Sequence, residues 1–324
     1  MCHAVFIPVF LSKINFDDFI IKKMRTFVQR YIDVTFTLST GAFKNGSSSL
    51  KLSGLRMSAQ VKLTANAAEL KAEIFGLSQD TMNRLLAVKE TAAPWHNQEN
   101  AIRLETYTSA NATRFTLFNG QIIDSVADFN DVPEVPLKVT ASGTFKAQSI
   151  VLANRSFKGT AKVSDIMAYL AGQIGAGFDN VNVDDSFILR DHSVQGSAIA
   201  CIEATARAAN IDWLLETVGT QEAALGGTLV ICKKGTTRKD ATMEIHEANG
   251  LMGYPVIHSG LVDVKCLFSP FYLPHKKVRL FSKEQPIANG EYYISEITHS
   301  LDSEKSGGNW ESKLTLAYPF GETK

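Results

Sequence analysis

From Tyr31 onward the chain alternates apolar and polar residues with a period of two. In YIDVTFTL (31–38), Ile32, Val34, Phe36 and Leu38 alternate with Tyr31, Asp33, Thr35 and Thr37. Successive strand side chains point to opposite faces, so this pattern predicts strands buried on one face and wet on the other. GAFKNGSSS (41–49) reads as a turn-rich loop, and the alternation returns in SLKLSGLRMSAQVKL (49–63) and AAELKAEIFGL (67–77). It continues in AIRLETY (101–107), RFTLFNGQII (114–123) and PLKVTASGTF (136–145). Beyond about residue 240 it resumes in GLVDVKCLF (260–268), KKVRLFS (276–282), GEYYISEITHSL (290–301) and NWESKLTLAY (309–318), with turn signals at hairpin spacing.

Two stretches break this period. SQDTMNRLLAVKE (78–90) places Met82, Leu85 and Leu86 on one helical face, with Ser78 as N-cap, Asp80 at the positive helix end and Pro94 as the stop. Residues 158–234 form the second. There VSDIMAYLAGQIG (163–175) and SVQGSAIACIEATARAANI (193–211) read as helices, and NVNVDDSFIL (180–189) as a strand. IDWLLET (211–217) and GTLVICKK (227–234) read as a hairpin across a longer loop. The expected fold is mainly β with an α+β module: two β-barrel-like domains plus a smaller helix-containing one. The expected division is 24–150, 151–240 and 241–324.

The N-terminal MCHAVFIPVFL lacks a basic n-region and a small-residue cleavage pattern, so it does not read as a signal peptide. Residues 1–23 differ in character from the alternating stretch after them, and Met24 is the expected natural start, with an extension upstream of it. No apolar run reaches the ~18–20 residues of a membrane helix. Basic and acidic residues number 33 each, which argues against a broad basic nucleic-acid face. The short runs KKGTTRK (233–239) and HKKVR (275–279) read as solvated turns or strand edges. Cys2, Cys201, Cys232 and Cys266 form no C-x-x-C pair and read as free thiols in a reducing compartment.

The motifs that would carry chemistry fail one by one. HEANG (246–250) begins like a zinc helix, but glycine stands where the second histidine belongs. Gly175 and Gly177 in GQIGAGF follow a helix, so they read as its C-cap and not as a dinucleotide turn. Asn180, Asn182 and Asp184 echo a calcium loop, but Asp185 replaces its glycine and Asp191 its bidentate glutamate. Asp124, Asp128, Asp131 and Glu134 crowd one proline-containing connection and read as a solvated loop. His299, Asp302 and Ser303 lie too close in sequence to converge as a triad, whose members come from separate elements. No catalytic, metal or cofactor residue is assigned, and no cofactor is expected.

A faint internal echo links GLRMSAQVKL and the later KAEIFGLS with GLVDVKCLF and the later KVRLFSKE, which suggests two related β-domains. The order of several stretches resembles the central baseplate hub proteins of contractile-tailed bacteriophages. These are YIDVTFTL (31–38), LSGLRMSAQV (52–61), AEIFGLSQDTMNRL (72–85), NGQIIDSVADFNDVPEVPLKV (119–139), GLMGYPVI (250–257), LFSPFYLPHKKVRL (267–280) and ITHSLDSEKSGGNWESKLTL (297–316). The resemblance runs from about Met24 to Pro319. The sequence departs from the family at PHKK, where glycine is frequent, and at Ser269, where asparagine often precedes the proline.

The resemblance implies a homotrimer with two tube-forming domains per chain, adapting a six-fold tail tube to a three-fold spike. It implies tube, spike and wedge proteins as partners, DNA only in passage through the lumen, no stable membrane insertion, no catalysis, and assembly in host cytoplasm into the virion. Two other readings stand beside it. One is a tail-associated wall hydrolase using the acidic loop and His299. The other is a glycan-binding β protein stacking sugars on Trp95, Trp213 or Trp310, although the last two sit within alternating strands, where a core position is expected.

Overall fold

The computed structural model describes residues 29–319 apart from 40, 65–66, 87–99, 110, 128, 130–133, 217–226 and 239–240. The first β segment holds β1 (Arg30–Thr37), β2 (Ser49–Leu52), β3 (Met57–Thr64), β4 (Ala68–Ile74), β5 (Ala101–Thr108), β6 (Asn111–Ala127) and β7 (Leu137–Ser142). The second holds β13 (Met243–Ile245), β14 (Leu251–His258), β15 (Leu261–Leu267), β16 (Lys277–Leu280), β17 (Gly290–Ser303) and β18 (Trp310–Ala317). All thirteen strands join one sheet, ordered β14-β15-β18-β17-β3-β4-β7-β6-β5-β1-β2, with β16 on β17 and β13 on β16.

The two segments repeat one topology. In the first, the β3–β4 hairpin is followed by the β5–β6–β7 meander, and β7 pairs back onto β4. In the second, β14–β15 is followed by β16–β17–β18, and β18 pairs back onto β15. The registers match. One row of partners runs Val61–Leu70–Ala141–Ile122 and the other Ile257–Val262–Leu316–Ile294. Both meanders carry a bulge one residue further on, between Ile122 and Asp124 and between Ile294 and Glu296. The N–H of Ile122 donates to the Asn100 carbonyl, as that of Ile294 does to the Lys276 carbonyl. The true repeat is therefore displaced by one strand from the sequence echo. β3 corresponds to β14 and β4 to β15, whereas the echo sets GLRMSAQVKL of β3 against GLVDVKCLF of β15.

The bulge has a consequence for burial. An extra residue inverts the side-chain phase beyond it. In β17, Tyr292 and Ile294 face the core before the bulge, and Ile297, His299 and Leu301 face it afterwards. The far half of β17 then pairs with β3, from Glu296 opposite Thr64 to Ser303 opposite Met57. This junction welds the repeats into one core, where Val61, Ile297 and Leu301 are almost wholly buried. Each such side chain contributes about 1.5–3 kcal/mol through removal from water.

Between the repeats lies the helix-containing module, with its own core. It comprises β8 (Val151–Lys162), β9 (Gly177–Asn180), β10 (Ile188–Ser197), β11 (Ile211–Glu216) and β12 (Thr228–Lys233). β8 and β10 form an antiparallel ribbon, and β11-β12-β9 a small mixed sheet. Among the described residues there are four α-helices: α1 (Gln79–Leu86) flanks the first repeat, α2 (Phe145–Ser149) leads from it into the module, and α3 (Val163–Gln173) and α4 (Ala198–Ala209) belong to the module. Ile166, Leu170, Ile202, Trp213 and Ile231 meet in the module core. The hydroxyl of Ser78 accepts from the Thr81 N–H at 3.2 Å, so it caps α1 as its sequence predicts.

Two local expectations change. Residues 193–197 belong to β10, because Val194 and Ser197 pair with Arg155 and Val151 before the helix starts. Residues 181–187 are not strand. Asn180 Oδ1 accepts from the Val183 N–H and Asp184 Oδ1 from the Ser186 N–H, and these local turns displace ladder pairing.

Candidate assembly surfaces

His299 stands on the buried face of β17, and its Nδ1 lies 2.8 Å from Ser312 Oγ on β18. Phe268 meets its ring edge-on at 5.0 Å. Burial lowers its pKa to about 3, because the imidazolium would lose its hydration there. Asp302 follows three residues later and points to the opposite face, where it accepts the Asn309 N–H at 2.7 Å. Ser303 returns to the buried face. A histidine and an aspartate on opposite faces of a sheet cannot share a proton, so these residues form no triad.

The other singled-out residues serve the fold locally. Asn182 accepts the Lys233 N–H and donates to Thr236 Oγ1, and Asp184 pairs with Lys233 Nζ at 2.7 Å. The hydrogen bond from Lys233 and those from Ser186 hold the Asp184 carboxyl down at about 2. His246 Nδ1 accepts the Ala248 N–H in a single turn that Gly250 ends at φ +102°. Gly175 closes α3 at φ +69°. Glu134 pairs with Arg56, and Asp124 lies part-buried on β6. Asp128, Asp131, Trp95 and Cys2 fall outside the described residues. Trp213 is buried in the module, and Trp310 is half-buried against Phe268. Cys201, Cys232 and Cys266 are buried free thiols, and burial pushes Cys232 and Cys266 up to about 12. Among the described residues no group of three metal-ligating side chains converges, and no helix is long and apolar enough to cross a membrane.

The sheet itself presents the larger features. Its face away from the core is densely charged with alternating sign. Lys62 pairs with Glu296 at 3.1 Å, Lys265 with Glu311 at 2.7 Å and Lys313 with Asp263 at 2.8 Å. At the far end Asp33 is enclosed beside Arg114 (3.0 Å) and Lys51 (3.5 Å). Burial alone would raise its pKa. Hydrogen bonds from Ser53 and Arg114 and the two positive charges outweigh that and hold it below the usual carboxylate range. Between β3, β4, β7 and β17 this face is concave. A depression of 470 Å³ there is lined by Gln60, Lys71, Glu73, Lys138, Ser300 and Asp302 among others.

Two strand edges complete the picture. Among the described strands β14 ends the sheet and pairs only with β15. β6 loses β5 after Gln121, so its end from Asp124 to Ala127 is paired only with β7 among the described strands. Large apolar side chains sit in the open at both places: Tyr254 (67% exposed), Val256 (58%) and Ile257 (44%) on one, Val126 and Phe129 (44% each) at the other. By sequence, Val126 and Phe129 read as part of a solvated acidic loop. The signal available was the adjacent apolar pair Val256–Ile257, which breaks the period-two rule.

The architecture is that of phage tail proteins. It is similar to a 43 kDa tail protein of prophage MuSo2 from Shewanella oneidensis, with a TM-score of 0.57 at 9% identity, covering 89% of this chain and 97% of that one. It is also similar to a tail protein from Neisseria meningitidis MC58, with a TM-score of 0.56 at 10% identity and coverage of 89% and 96%. A third similar structure is the E. coli c3393 protein, a type VI secretion component described as similar to T4 tail proteins gp27 and gp5. Its TM-score is 0.54 at 12% identity, over 82% of this chain and 74% of that one. No protein of curated function matches the chain. The chain belongs to the baseplate hub gp41 family, whose model matches residues 31–307, and it is a structural baseplate hub protein of a phage tail.

Proposed function

We propose that three copies form the central hub of a contractile-tail baseplate, where they adapt a six-fold tail tube to a three-fold spike. The observation that carries this reading is the internal duplication: two repeats with the same strand order, matching registers and a bulge at the same place. Three chains then offer six similar units to the tube while keeping three-fold symmetry for the spike. On this reading the repeats are the two tube domains of residues 24–150 and 241–324, and residues 151–240 are a bracing or wedge-contacting module.

The concave charged face lines the channel. Phosphate binding needs uncompensated Lys or Arg. Here Lys62, Lys265 and Lys313 stand in ion pairs with neighbouring carboxylates, and Lys71 and Lys138 share the concave face with Glu73 and Asp302, so DNA passes a wall of mixed charge without being held. The chain works as a scaffold and not as an enzyme, binds tube, spike and wedge proteins, spans no membrane, and is assembled in host cytoplasm into the virion. Native mass spectrometry across a concentration series, followed by imaging, tests this. A trimeric ring with an open lumen is the expected result. A monomer at every concentration, or a closed two-fold dimer, would sink it. A peptidoglycan zymogram is expected to stay blank.

A further inference from the structure

The junction inside the chain shows how one repeat accepts another. The far half of β17, the fourth strand of the second repeat, takes β3, the first strand of the first repeat, as an antiparallel neighbour. The corresponding strands of the opposite pairing are β6 and β14. Those two are the strands whose equivalent edges are open among the described residues. We infer that β14 of one copy docks antiparallel on the β6 edge of a second copy, which reproduces the β3–β17 junction between molecules.

This rests on the trimer reading above and names the surface that would build it. The matched registers fix the alignment. Ile122 occupies the place of Ile294 and Asp124 that of Glu296, so Val126 stands for Thr298 and Ala127 for His299. On the other strand Ile257 stands for Val61 and His258 for Lys62. Within the chain, Thr298 faces Lys62 and His299 faces Val61. Between chains, Val126 therefore faces His258, and Ala127 faces Ile257. The exposed Phe129 lies just beyond the end of β6, and the β14 bulge beyond Ile257 carries Tyr254.

Burial favours this occupant. The internal junction hides Val61, while its counterpart Ile257 lies 44% exposed in a single copy. An exposed, apolar, unpaired edge is a hazard that proteins normally blunt. Here Val126 on one edge and Tyr254, Val256 and Ile257 on the other are exposed at two edges that are each other's structural complement. Because the contact joins two different surfaces, it is heterologous, and with a rotation of one third of a turn per copy its repetition closes into a three-membered ring.

Cysteine cross-linking of the full chain tests this, in a Cys2→Ser background whose other thiols are buried. Neighbouring antiparallel pairs have Cα separations near 4.5 and 5.5 Å, both within disulfide reach. The pairs Val126→Cys with His258→Cys and Ala127→Cys with Ile257→Cys are expected to give a covalent trimer on oxidation, seen by non-reducing electrophoresis. The offset pair Val126→Cys with Tyr254→Cys is expected to stay unlinked. A trimer in native mass spectrometry with no link at either matched pair would overturn this edge assignment and leave the hub reading standing. Linking of the offset pair as readily as the matched ones would also overturn it. A chain that neither associates nor links would remove both. Ile257→Lys provides the second arm. It should raise the concentration at half-assembly at least tenfold with an unchanged circular dichroism spectrum, and unchanged assembly would count against the docking.

Discussion

His299 offers a direct measure of how tightly the two repeats are welded. It sits one pair from the centre of the β3–β17 junction, opposite Val61, and is wholly enclosed. Its ordinary pKa of 6.5 falls to about 3 through loss of hydration. The unfolded chain therefore takes up a proton near pH 6.5 that the folded chain refuses until near pH 3. Stability from this group is full above the unfolded value and falls as pH drops, at about 1.4 kcal/mol per unit. Between pH 7.5 and 5.0 the loss from this one residue is about 2 kcal/mol. His299→Gln keeps a hydrogen-bonding partner for Ser312 but cannot be protonated. Urea unfolding of both chains at the two pH values, followed by circular dichroism, isolates the difference. Burial also lowers His192 and His275, and both contribute equally to the two chains. The wild type should lose about 2 kcal/mol more than the variant. Equal losses would mean that water reaches the junction and that the repeats are not sealed there.

Three further outcomes can be checked on the same material. Gly120 on β6 lies so close to Ser142 that an added Cβ would sit 2.5 Å from its carbonyl oxygen, so Gly120→Ala should cost about 1–3 kcal/mol in a denaturant melt. Asn210 ends α4 in the left-handed region at φ +51°; Asn210→Val should lose about 1–2 kcal/mol, whereas Asn210→Gly should be near neutral. In a Cys2→Ser chain a thiol-reactive dye at pH 8 should label almost nothing before unfolding and the remaining three cysteines afterwards, and rapid native labelling would refute the burial of Cys232 and Cys266.

Local periodicity made the strands and α3 readable, because an amphipathic face leaves its period in the sequence whatever it packs against. It was weaker where side chains hydrogen-bond their own backbone, as Asn180 and Asp184 do. It misled at 193–197, where an alanine-rich run begins as strand. The repeat was audible but misaligned. Topology and register recur while few residues do; Ile102-Arg103-Leu104 and Val278-Arg279-Leu280 are among the short stretches that still look alike. The β3–β17 junction joins residues hundreds of positions apart, and no local pattern announces such a pairing. The bland reading of His299 was available from sequence, since two positions three apart on a strand point opposite ways. The open edges left only the adjacent apolar pair Val256–Ile257 as a signal, and none at Val126, because exposure there is decided by which strand is missing beside them.

The same junction sets a timetable. β3 is synthesised early, but its partner edge on β17 ends only at Ser303, after the whole helix-containing module. At about 5–20 residues per second, the first repeat waits on the order of ten seconds or more with that edge uncovered. A chain released before its C-terminal hairpin would keep an extra sticky edge on β3, equivalent to the β14 edge that is proposed to join neighbouring copies. On the proposed docking, the late arrival of β17 makes completion of the chain a condition for orderly ring growth: a finished molecule has its inner joint closed and offers the β6 and β14 edges to its neighbours.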